Sequence, residues 1–171
     1  MNVIFLLACS LLTTPLMSDQ SIARSYAYAQ MTDLSPDDKM LFILNAQDGH
    51  LESKPMMKNR YMLTLYNVSK EVTYFTDRPA RKAGKVSIDV FLQTFRQEQP
   101  NAGLVSAIHG NETMSPKFSD IAVTLSNPRY EAKHNRLTID VDPIEKGVRV
   151  STGDLGATTL FIDDFGPFPG G

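Results

Sequence analysis

Cysteine is almost absent. Cys9 is the one thiol in the chain, and it lies inside an apolar N-terminal run. Removal of that run as a leader would leave a mature protein with no thiol, which excludes disulfides, cysteine nucleophiles and thiolate-held metals from its chemistry. The apolar run itself, residues 3–17, is shorter than the roughly 20 residues a membrane-spanning helix needs, so no transmembrane span is expected. An excess of one charge is also missing. Lys and Arg number 17 against 19 Asp and Glu, a net charge of -2, which gives no support to a nucleic-acid partner. Histidine is sparse: His50, His109 and His134 are too scattered to offer zinc-ligand spacing, and no Gly-x-Ser-x-Gly elbow accompanies them. Internal repeats and low-complexity segments are lacking too.

What is present begins with the leader. Val3 to Met17 (VIFLLACSLLTTPLM) has the length of a signal-peptide apolar region, and Ala27-Tyr28-Ala29 supplies a small-x-small cleavage site. Cleavage there makes residues 1–29 a signal peptide and Gln30 the mature start, and places the protein in the periplasm or outside the cell. A rival reading takes Leu6-Leu7-Ala8-Cys9 as a lipobox with Cys9 lipidated. Against it, Leu11, Leu12, Leu16 and Met17 prolong the apolar run where a lipoprotein carries a polar tether. With 171 residues and 42% hydrophobic content, one domain with a packed core is expected over residues 30–164, followed by a loose Gly/Pro tail, 165–171.

Within that domain the hydrophobic period is mostly two. Ser35-Pro36-Asp37-Asp38 can start a helical turn. Met40 to Ala46 then reads as a strand ending at an Asp48-Gly49 turn, and Tyr61, Leu63 and Leu65 alternate in a second. Val72 to Phe75 forms a third, stopped by Asp77-Arg78-Pro79. Between Ser87 and Gln97 the period changes: Ile88, Phe91, Leu92 and Phe95 recur at helical spacing, with Ser87 placed as cap. Strands resume at Leu104 to Ile108, Phe118 to Leu125 (broken at Asn127-Pro128), Leu137 to Val141, weakly at Val148 to Val150, and at Thr158 to Ile162. Seven to eight short strands and one inserted helix predict a mainly β fold, an antiparallel sandwich or open barrel.

The segments YMLTLYNV (61–68), YFTDRP (74–79) with Arg81 and Gly84, LSNPRY (125–130) and LFIDD (160–164) resemble those of a group of small uncharacterised exported bacterial proteins. The likeness spans roughly residues 60–165. It implies export and a compact domain, and no activity, cofactor or catalytic residue.

Candidate sites follow from charge. Lys54, Lys58, Arg60, Lys70, Arg78, Arg81, Lys82 and Lys85 are opposed in their segment by Glu71 and Asp77 alone, whereas acids dominate from Leu137 onward. The two regions can pair with each other, or the basic one can serve a partner. The connection from Asp77 to Lys85 concentrates Arg78, Arg81, Lys82 and Lys85, with Pro79 and Gly84 shaping its backbone and Asp77 oriented to hold Arg78. Such a loop suits phosphate or carboxylate. The leading expectation is therefore a non-enzymatic exported module binding an anionic group on an envelope or extracellular partner, with no cofactor and no metal. The alternative is a cell-envelope hydrolase pairing Asp77, Asp163 or Asp164 with a histidine. Asp140-x-Asp142 with Glu145 lacks the ordered oxygen spacing of a calcium loop and reads as solvated acids. The sequons Asn67-Val68-Ser69 and Asn111-Glu112-Thr113 read as ordinary polar segments, and Asn127-Pro128-Arg129-Tyr130 as an Asx-Pro turn after a strand.

Overall fold

The computed structural model describes residues 39–163, except 58, 96–98, 109–116 and 149. The expectations for the leader with Cys9, the Ser35–Asp38 turn, His109, the second sequon, Asp164 and the tail all lie outside the described residues.

Among the described residues, alternating apolar residues build nine strands: β1 (Met40–Ser53), β2 (Tyr61–Val68), β3 (Glu71–Thr76), β4 (Ala83–Ser87), β5 (Asn101–Ile108), β6 (Lys117–Glu131), β7 (Arg136–Pro143), β8 (Gly153–Asp154) and β9 (Thr158–Asp163). All described pairings are antiparallel and belong to one sheet. The fold is mainly antiparallel β, with a single short helix among the described residues, as the hydrophobic period predicts.

The long strand β1 organises the sheet. Its first half pairs with β9 (Leu41 with Asp163 to Ala46 with Thr158), and its second half pairs with β2 (Ala46 with Val68 to Ser53 with Tyr61). The order β2-β7-β6-β5-β9-β1 therefore closes on itself as a hydrogen-bonded ring of six strands. β3 continues the direction of β2 along the start of β1, and β4 pairs outside it. Leu44, Leu51, Leu63, Leu65, Leu125, Leu137, Ile139 and Leu160 point inward and are at most 2% exposed. Each such side chain stabilises the fold by about 1.5–3 kcal/mol relative to exposure.

The helix α1 (Ile88–Phe95) follows β4, and Ser87 Oγ accepts a hydrogen bond from the Val90 amide at 3.4 Å, the cap its sequence predicts. Its apolar face makes a second, aromatic part of the core. The Phe91 ring packs tilted against its neighbours, with its centroid 5.2 Å from that of Phe42 and 6.0 Å from that of Phe95, and Phe42 lies 6.5 Å from Tyr74.

Four local expectations are overturned. Asp48-Gly49 does not turn the chain: β1 runs through it, paired with β2, and the reversal comes at 54–60, where the Lys54 amide donates to the Arg60 carbonyl at 2.9 Å. Gly49 is needed for close approach instead, since a Cβ there would fall 2.6 Å from Thr158 Oγ1. Asn127-Pro128 does not end β6. Its pairing with β7 shifts register between Ser126 and Arg129, a bulge in which Asn127 takes φ 51°. Finally, β8 forms at Gly153–Asp154 rather than around Val148, and β4 occupies residues read as loop.

Candidate functional site

The expected anion-binding residues sit on a hairpin turn between β3 and β4. Its base is closed on both sides of one pair: the Thr76 amide donates to the Lys82 carbonyl at 2.8 Å, and the Lys82 amide donates to Thr76 Oγ1 at 2.6 Å. Within it, the Arg81 amide donates to the Asp77 carbonyl at 3.1 Å, across a cis Arg78–Pro79 bond. Asp77 does not hold the Arg78 guanidinium. Its carboxylate accepts the Arg78 backbone amide at 2.7 Å, so it fixes the turn and leaves the side chain out. Arg81 has φ 49°, a left-handed conformation in which glycine carries no steric penalty.

The four predicted cations therefore divide. Arg78 and Arg81 are exposed and make no ion pair or side-chain hydrogen bond among the described residues. Lys85 lies on β4, 3.0 Å from Glu71. Lys82 is exposed and has an interaction of its own. Gly84 shapes packing rather than the turn: it pairs with Tyr74, and a Cβ would fall 2.5 Å from the tyrosine oxygen and 2.6 Å from the ring carbon bearing it. Burial raises the Tyr74 pKa, keeping the phenol neutral against that backbone. At the foot of the turn Phe75 and Leu41 oppose each other on the outer face, 44% and 37% exposed.

The other end of the basic segment is structural. Lys54 pairs with Asp140, and Arg60 Nε donates to Asp142 Oδ2 at 3.1 Å. Asp140 is 9% exposed and also accepts Asn127 Nδ2 at 3.0 Å, from the bulge in β6. Burial opposes its ionisation, but the hydrogen bonds from Lys54 and Asn127 and the charges of Lys54 and Arg129 outweigh it, so its carboxyl titrates below the usual range.

Asp77 and Asp163 have no histidine partner among the described residues. The carboxylates that do are Asp154, 2.7 Å from His50 Nδ1, and Glu131, 3.1 Å from His134 Nδ1. Hydrogen bonds from Arg136 and His134 lower the Glu131 pKa, and the same Glu131 contact raises that of Arg136.

One feature has no counterpart in the sequence reading. At the rim of the ring, where β2 and β5 end and β9 begins, an open groove of about 600 Å³ forms around Asn45, Asn67, Ser106 and Thr158. Cross-strand register assembles it from four separate segments, so no local motif announces it. No family model, curated protein or solved structure matches this chain, and the sites stand on their own geometry. No helix among the described residues is long and apolar enough to cross a membrane.

Proposed function

We propose that this protein is an exported, non-enzymatic binding module that engages an anionic group of an envelope or extracellular partner through the 77–82 turn. The observation carrying this reading is the pair Arg78 and Arg81, both exposed on one closed turn, with neither guanidinium engaged by a described residue. Guanidinium forks bind phosphate and carboxylate in two-point geometry, and a turn already held by Thr76 and Asp77 loses little entropy on binding. A long cation at φ 49° adds weight, because the fold alone would favour glycine there.

The test is the double variant Arg78→Ala/Arg81→Ala of the full chain on a phosphocellulose column. It should elute at lower salt than the parent while melting at nearly the same temperature. Elution at unchanged salt overturns the reading, as does a variant that fails to fold, because the arginines would then be structural.

The second reading, a cell-envelope hydrolase, draws on the His50–Asp154 pair, the arrangement that orients a general base. It requires that the purified protein cleave envelope-derived esters, amides or glycosides and that His50→Ala abolish the cleavage.

A further inference from the structure

We infer that the rim groove is a second binding site, distinct from the arginine turn, whose ligand is an uncharged saccharide. Three observations point there. The first is location: ligand sites concentrate in the mouths of β-barrels, and about 600 Å³ lies within the range of small-molecule sites.

The second is Ser106, a lining residue only 2% exposed, whose hydroxyl has no hydrogen-bond partner among the described residues. A hydroxyl in a cleft wall that no side chain or backbone group engages keeps both its donor and its acceptor capacity for a ligand. Directly opposite, Thr158 is equally buried; it donates to the Gly156 carbonyl at 2.8 Å, which leaves its oxygen able to accept.

The third is the chemistry of the wall. None of the lining residues is charged. Gln47 and Asn67 have no side-chain partner among the described residues, and Asn45 accepts from Thr159 Oγ1 at 2.8 Å while keeping its NH₂ donors. Amides and hydroxyls both donate and accept, which matches sugar hydroxyls and offers nothing to balance an ion. Between them, Val105 and Ala107 supply apolar ground for C–H faces. A peptide strand is a poorer fit. β9 and β5 are hydrogen-bonded on both sides at this level, and β1 is bonded to β9 on one side and to the Ser69 amide on the other, so no free backbone ladder receives it.

The experiment is an amide ¹⁵N–¹H titration of the full chain with cellotriose and, separately, tri-N-acetylchitotriose, with trigalacturonate as the charged control. At least one neutral probe should shift resonances of 45–47, 67–69, 105–107 and 157–159 with millimolar or tighter affinity. Ser106→Ala should weaken that binding about three- to tenfold, and the exposed Gln47→Ala provides the same test if Ser106→Ala does not fold. Absence of binding by both neutral probes, shifts confined to other regions, preference for trigalacturonate, or unchanged affinity in a folded variant would each overturn the proposal. Binding that persists in Arg78→Ala/Arg81→Ala separates this site from the arginine turn.

Discussion

The basic segment from Lys54 to Lys85 ends in two different environments. At its start, Lys54 and Arg60 lie over β7, where Asp140 and Asp142 alternate with the inward Ile139 and Val141. At its end, Arg78 and Arg81 project from a turn and form no ion pair among the described residues. Residues of one type thus do opposite work. Cations that meet a partly buried carboxylate belong to the fold, and cations on a hairpin tip are available to a partner. The teaching is that a charge run should be divided by register before it is read as a surface.

The comparison breaks most visibly at Asp140. Asp140→Ala strands Lys54 and the Asn127 amide in a half-buried position, and should destabilise the protein by about 1–3 kcal/mol in urea unfolding, below the range for fully buried pairs because Lys54 remains partly exposed. A loss under about 0.5 kcal/mol would place this pair among ordinary surface contacts.

Next in size is Gly84→Ala, which probes whether the arginine turn stands on a rigid base. Its Cβ would displace the buried Tyr74 ring, at a cost of about 1–2 kcal/mol by thermal unfolding. An unaffected melting temperature would mean that the ring moves freely.

Acid sharpens the contrast further. The folded pKa of Asp140 lies below its unfolded value, so its contribution is present above the ordinary carboxylate range, around pH 4, and is lost as pH falls through the lowered pKa. Urea midpoints should drop more between pH 6 and pH 3 in the parent than in Lys54→Met, which lacks the cation that lowers it. Arg78→Ala should drop as much as the parent.

The smallest effect is expected at Arg81→Gly. If the fold does not use the guanidinium, relief of the φ 49° conformation should leave stability unchanged or raise it by up to about 1 kcal/mol, while affinity for phosphocellulose falls. A destabilised variant would move Arg81 to the structural side of the comparison.

The sequence by itself determined the fold class and the helix. Period-two patterns at Leu63-Leu65, Leu137-Ile139-Val141 and Leu160-Ile162 can only bury one face of a strand, and Ile88-Phe91-Leu92-Phe95 behind Ser87 can only bury one face of a helix. It also placed the cation-rich connection, because Pro79 and its polar neighbours stop β3 locally. Tertiary structure decided the rest. Asp48-Gly49 and Asn127-Pro128 carry turn chemistry, but long ladders on either side outweigh a local preference, absorbing one as a close approach and the other as a bulge. Register alone decided that Lys54 meets Asp140 while the Arg78 guanidinium has no ion pair among the described residues, and that Ser106 lies beside Thr158 on paired strands at the groove, since such partners are brought together by strand pairing rather than by proximity along the chain.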